Sequence, residues 1–359
     1  MKSDLSVQAL SFSGLSGQDE GLVLVSGACM IEIGTPDDGG SLMVSLRNMS
    51  VAAALLMGMS GQSLAQTVGL GTTQGGATGQ IATAIAQIVT QHGGIQVRPQ
   101  PVANTAQYIP AINAGQMEFG IANAPQTSNA FTGTGMSPGQ PSPNLRMVAT
   151  LFPFNAGLLA TKASGIATYA DLKGKKLPWF PENSLGDSIM RASLEAGGLK
   201  PEDVTRVPMP NFPRMFDAFK GGQTDVTIAT TGSQNTIDFQ QSIAGGIRFL
   251  AFKPTDAAIL AKWLPGATVR KVPVSPTNPG VEENTLVFSY DYTLFTYANM
   301  NEDVVYKMTK AMFERGKELR ATSPLWEDYD PKELGRGIGV PFHPGAIRLY
   351  KENGVKVAP

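Results

Sequence analysis

Past residue 66 the apolar positions fall into short runs separated by helical stripes. Thr67–Leu70 reads as a short buried strand, and a glycine-rich turn follows it. Ile81, Ile85 and Ile88 then recur at i, i+4 and i+7, one face of an amphipathic helix. Ile95–Pro99 is a strand ended by proline. The stretch from Asn104 is a helix opened by an Asn or Thr cap and closed by Gly115, and Met117–Asn123 is a third strand. The order β-α-β-α-β predicts a parallel sheet with helices packed on it.

A proline-rich loop, MSPGQPSPN, leads into a strand at Leu145–Leu151. A second α/β run starts near Phe152. Its strands are expected near Gly157–Thr161, Lys176–Phe180, Val204–Val207, Asp225–Ala229 and Ile247–Phe252, with helices at about Leu185–Ala196 and Pro213–Lys220. The loop KVPVSPTNPGVEEN gives way to a long aromatic strand, TLVFSYDYTLFTY, beginning at Thr285. Asn301–Ala321 is read as one long helix with Val304, Met308, Ala311, Met312 and Leu319 on one face. No repeat of 20–50 residues is visible in this part of the chain.

The first 65 residues follow different rules. Arg47 precedes an apolar run from Val51 to Met59, and Ser63 and Ala65 are small residues at the two positions a signal peptidase reads. This is a secretory signal with cleavage expected after Ala65; the alternative is a buried helix of a cytoplasmic domain. The apolar run is about half of the roughly 20 residues a membrane-spanning helix needs. The signal lies far from Met1, whereas Met43 would begin one of ordinary length, so residues 1–42 are expected to stem from a start placed too far upstream. Cys29, the single cysteine, falls in that extension, so no disulfide is expected in the exported protein.

Composition narrows the function. At 359 residues the chain has room for about two domains. Charged residues make up 16%, against about a quarter in an ordinary soluble protein. Residues 1–65 hold two of the basic and six of the acidic residues, so their removal moves the net charge from −1 to +3. Neither value points to nucleic acid or an anionic membrane surface as a partner.

The turn in VGLGTTQGGATGQ, Val68–Gln80, resembles a phosphate loop but fails both tests for one. Gly71 and Gly76 have P-loop spacing, yet Ala77 and Thr78 stand where Lys and Ser/Thr are needed. Gly69 and Gly71 begin a dinucleotide fingerprint, but Gln74 occupies its third glycine position. What remains is a strand, a turn and a helix N-terminus able to hold a small anion such as a carboxylate, or a tight turn with no ligand.

Catalytic groups are sparse. His92 sits at a helix C-terminus, where it is expected to bond the last carbonyls, and His343 lies between prolines and opens the last helix. There is no G-x-S-x-G elbow and no His/Cys/carboxylate cluster at metal-ligand spacing, so neither a metal nor a cofactor is expected. An exported α/β protein of this kind suggests a receptor that closes on a ligand. The competing class is an exported hydrolase of small acids, and a third is a ligand-sensing domain of a membrane sensor.

The chain resembles the TAXI group, the extracytoplasmic solute receptors of TRAP transporters. The resemblance rests on VGLGTTQGGATG, on YIPAINAGQMEFGIANAPQTSNAFTGTG, on AFKGGQTDVTIATTG at Ala218–Gly232 and on PFHPGAIRLYKENG at Pro341–Gly354. YADLKGKKL at Tyr169–Leu177 is shared more broadly with type II periplasmic binding proteins. The resemblance spans about residues 67–354. It implies an α/β, two-lobed, periplasmic binding protein-like type II fold with the ligand cleft between the lobes. Lobe one would comprise 66–150 plus 288–359, and lobe two 151–287. It further implies a periplasmic protein that captures a small organic acid or amino acid, glutamate or 2-oxoglutarate among them, closes by a hinge motion and serves TRAP membrane subunits.

Ligands of open α/β sheets bind beyond the carboxyl ends of the strands. On lobe one those ends give Thr72, Thr73, Gln74, Gly75, Gly76 and Ala77, then Asn104, Thr105 and Asn123. On lobe two they give Asn183, Ser184 and Asp187, then Asn211, Thr230 and Thr231. Trp179 and Phe180 either line the site or fill the core at a strand end, and Asp187 either caps a helix or touches the ligand.

Overall fold

The computed structural model describes residues 66–358. The extension 1–42, the start at Met43, the cleavage after Ala65 and the fate of Cys29 lie outside the described residues. The first lobe starts with β1 (Thr67–Thr73), α1 (Gly76–His92), β2 (Gln96–Val102), α2 (Thr105–Asn113), β3 (Phe119–Asn123) and α3 (Ala124–Thr132). β1 lies between β2 and β3 and is parallel to both, as the β-α-β-α-β pattern predicts. Ile81, Ile85 and Ile88 bury the inner face of α1. α3, which the polar residues of APQTSNAFT hide from a periodicity reading, is nucleated by Asn123. Its side chain accepts the Gln126 N–H at 3.1 Å, and Pro125 occupies the first turn.

The largest departure from expectation is β4. It runs unbroken from Leu145 to Thr161, where two strands separated by FPFN were expected. Pro153 explains both the expectation and its failure. Proline has no N–H for a ladder, but it pairs with Asp291 beside a register shift, where the ladder is already irregular. The partner of β4 is β10 (Leu286–Tyr297), which is antiparallel to it.

These two strands carry both lobes. Near one end β10 pairs with β3 through Tyr292–Phe295. Near the other, Leu286–Ser289 of β10 pair with β9 (Thr268–Lys271), a strand concealed by the preceding proline-rich reading. The far end of β4 pairs with β7 (Val226–Thr230) and β8 (Ile247–Phe249). The second lobe adds a parallel pair, β5 (Lys176–Trp179) and β6 (Thr205–Pro208). Its helices are α4 (Leu185–Ala196), α5 (Phe212–Lys220), α6 (Gln234–Ser242) and α7 (Ala257–Trp263). The molecule is thus an α/β protein of two lobes joined by continuous strands.

The expected helix Asn301–Ala321 is two helices, α8 (Glu302–Glu314) and α9 (Gly316–Thr322). The apolar face is as expected, and Val304, Met308, Ala311, Met312 and Leu319 are all buried. The break falls at Arg315, next to Gly316, a weak helix former against which Pro331 packs so closely that a Cβ there would stand 2.6 Å from its Cγ. His92 does not serve the last carbonyls of α1; its Nε2 lies 3.0 Å from Glu318 Oε2 on α9. His343 opens α10 (Pro344–Glu352), its ring Nδ1 accepting the Gly345 N–H at 3.2 Å. No helix of the described residues is long and apolar enough to cross a membrane.

Candidate ligand cleft

Five helices begin around one cavity of about 550 Å³, beyond the strand ends of both lobes. Three of them are capped by their own side chains. Asn123 caps α3, Ser184 Oγ accepts the Asp187 N–H at 3.2 Å on α4, and Asn211 Oδ1 accepts the Arg214 N–H at 3.0 Å on α5. Two are not. α1 begins at Gly75 and α2 at Asn104, neither with a side-chain cap. Gly75 and Gly76 have φ of 67° and 66°, a left-handed pair that suits glycine and leaves the first amides of α1 without a Cβ in front of them. The N–H groups of Gly76, Ala77 and Thr78 have no hydrogen-bond acceptor among the described residues. A helix start with free amides and the positive end of its dipole favours an anion.

Most of the expected residues meet here. Thr73, Gly75, Gly76 and Ala77 line the cavity from β1 and α1, and Asn104, Thr105 and Asn123 line it beside them. Asn183, Ser184, Asn211 and Thr230 line it from the other lobe. Thr105 Oγ1 accepts from Gln126 Nε2 at 2.7 Å, so that hydroxyl is already engaged as an acceptor. Asn183 has φ 62°, the positive-φ residue other than glycine among those described, a conformation asparagine tolerates better than most.

Four expected residues are not among the lining residues. Thr72 is 2% exposed, one of five consecutive buried positions in a strand covered on both faces. Gln74 donates its N–H to Val102 O at 2.9 Å and lies outside the cavity wall. Thr231 lines a separate cavity of about 150 Å³. Asp187 is held at both carboxylate oxygens by Arg191 Nε, at 2.9 and 3.0 Å, one helical turn along α4. Of the two bulky residues in WFPEN, Phe180 lines the cavity. Trp179 instead lies between the guanidinium groups of Arg191 and Arg206, 5.9 and 5.4 Å from its ring centre.

The aromatic wall was missed by reasoning from strand ends. Phe154 of β4 stacks on Tyr290 of β10 with ring centres 5.1 Å apart, and meets Tyr292 edge-on at 4.8 Å. Tyr290 and Tyr292 lie two apart in a strand and so share a face, a signal present in SYDY. The Tyr292 hydroxyl is 2.9 Å from Thr78 Oγ1, tying the crossover strand to the start of α1. The Tyr290 hydroxyl has no hydrogen-bond partner, although the residue is only 4% exposed. Burial pushes both phenols well above their ordinary pKa, so they stay protonated; for Tyr292 the Thr78 contact opposes the rise. Between them Asp291 points elsewhere, to Arg336 at 2.9 Å, and burial raises its pKa against the pull of that guanidinium. Among the described residues no lysine or arginine lines the cavity, and Glu182 at the rim is its one carboxylate. No group of three or more His, Cys, Asp or Glu among the described residues could hold a metal ion.

Across the cleft the lobes nearly touch. A Cβ on Gly76 would lie 3.6 Å from the Phe216 ring, and Gln80 Oε1 accepts the Gln234 N–H at 3.5 Å.

Solved structures of binding proteins are similar to this chain. The periplasmic binding protein BugD aligns at a TM-score of 0.55 and 14% identity, over 82% of this chain and 99% of that one. PhnD1 from Prochlorococcus marinus, in complex with methylphosphonate, aligns at 0.49 and 8% identity over 81% of this chain and 99% of that one. The first similarity establishes the two-lobed fold of periplasmic binding proteins. The sequence itself matches the model of the NMT1-like family over residues 70–354, and the chain belongs to that family.

Proposed function

We propose that the protein is an extracytoplasmic solute receptor that closes its two lobes on a small organic anion and presents it to the membrane subunits of a TRAP-type transporter, as in the TAXI group. The observation that carries the reading is the cavity itself. It is fed by helix N-termini from both lobes, two of them uncapped, and it is crossed by the strands that join the lobes. In this reading the lobes are 66–150 plus 288–359 and 151–287, with the hinge in the crossover strands where the β4–β10 register shifts. The amides of Gly76 and Ala77, with the Thr73 hydroxyl, take the anionic group. Asn183, Ser184, Asn211 and Thr230 approach it from the second lobe, and Asn104, Thr105 and Asn123 complete the first. The protein works in the periplasm after losing its signal peptide, and it releases its solute unchanged.

Two measurements on natively purified protein test this. Mass spectrometry of the material released on denaturation should find one small organic acid, and returning that acid should raise the melting temperature with no product formed. Steady conversion of the acid would instead make the protein an exported hydrolase. A protein that carries no small molecule and is stabilised by none is not a receptor.

A further inference from the structure

The receptor reading leaves open which anion is taken. The wall of the cavity bears on that. Phe154, Phe180, Phe212, Phe216, Tyr290 and Tyr292 surround it, and no lysine or arginine among the described residues joins them. At about 550 Å³ the space is in the range of drug-sized ligands and is generous for a small diacid. One anionic group can be served without a cation, because backbone amides at a helix start stabilise a carboxylate by hydrogen bonding and dipole. A second carboxylate would find only the uncapped start of α2 and neutral Asn, Ser and Thr groups, with no cation to pair it in a wall rich in rings, and burying a second charge without an ionic partner is disfavoured.

We propose that the cleft takes a monocarboxylate with an aromatic body, its carboxylate on the free amides of α1 and its ring among the Phe and Tyr side chains. This rests on the receptor reading and makes it specific. The ring faces alone would also suit an organic cation. The inward-facing helix starts argue against that, since each presents the positive end of a dipole.

The test is calorimetry on ligand-stripped protein with phenylacetate, 3-phenylpropionate, 4-hydroxybenzoate and 2-naphthoate. Succinate, L-glutamate and 2-oxoglutarate are the diacids for comparison, phenylacetamide is the neutral control and phenethylammonium the cationic one. At least one aryl monocarboxylate should bind ten or more times tighter than every diacid and both controls. Phe216→Arg, at a half-buried position on the cavity wall, should narrow or reverse the preference over diacids. Tighter binding of a diacid or of phenethylammonium overturns the assignment and leaves the receptor standing. So does failure of every aryl acid while the native protein releases some other solute. Failure of the whole panel, with no solute released, overturns both.

Discussion

At the scale of single residues, the cleft separates groups that are free to bind from groups already committed. The Thr73 hydroxyl is 3.5 Å from its nearest acceptor, Gly75 O, so it gives up little to bind a solute. Thr73→Ala should therefore weaken solute binding by about 1.5–3 kcal/mol, the value of a hydrogen bond to a charged group, in calorimetry on folded protein. Gly76→Val should remove binding and also lower the melting temperature. It places a β-branched residue at φ 66° and aims a side chain at Phe216, and left-handed strain alone costs on the order of 1–3 kcal/mol. Asp187 is the contrasting case. With both oxygens on Arg191, Asp187→Ala should lower unfolding free energy by about 1.5–3 kcal/mol in denaturant titration and leave solute affinity unchanged. From sequence, Asp187 and Thr73 are both polar candidates, with helix capping the favoured reading of Asp187. What distinguishes them is the position of Arg191, one turn along a helix, and the direction of alternate side chains at the end of β1. The glycine pair was legible because few other residues serve a left-handed turn. The aromatic wall was not, because an aromatic in a strand reads as core until the cleft beside it is known.

At the scale of elements, patterning succeeded where one face is apolar and failed where caps do the work. α1, α4 and α5 announce themselves by their periodicity. α3 and α6 do not, because their polar sequences are held by Asn123 and by Ser233, whose side chains each accept an N–H of the first turn. β4 was cut in two because a proline inside a strand is an ordinary stop signal, and its tolerance here depends on an irregular ladder made with a strand more than a hundred residues away. The last helix shows a cap that titrates. His343 must be neutral for Nδ1 to accept the Gly345 N–H, and burial lowers its pKa below the ordinary 6.5. The unfolded chain then binds a proton there more readily than the folded one, so stability falls as pH drops through about 6.5 and below. Melting temperatures of the native protein should decline from pH 7 to pH 5 more steeply than those of His343→Asn, which keeps a capping side chain without the titration.

At the scale of the whole molecule, two α/β runs were legible in the local pattern, and the crossing between them only through the family resemblance. Their connection lies in β4 and β10, and strand pairing at such sequence distance leaves no local signal. A receptor of this form binds its solute only when folded, so solute at about a hundred times its dissociation constant should add about 2.7 kcal/mol of stability. Chemical denaturation with and without the identified acid measures this directly, and both lobes should gain together because they share the same strands.

The sheet order also governs how the chain reaches its fold. β10, residues 286–297, is inserted between β3 and β4, so the first sheet cannot close until most of the polypeptide has been made. Until then the partly made chain exposes two apolar strand edges with no neighbour, a template for association with other copies. Long-range pairing of this kind is slow to form. Under the proposed export that delay is useful. In that reading, a nascent chain to be threaded across a membrane still lacks the strand that joins β3 to β4, and the sheet closes only once residues 286–297 have followed.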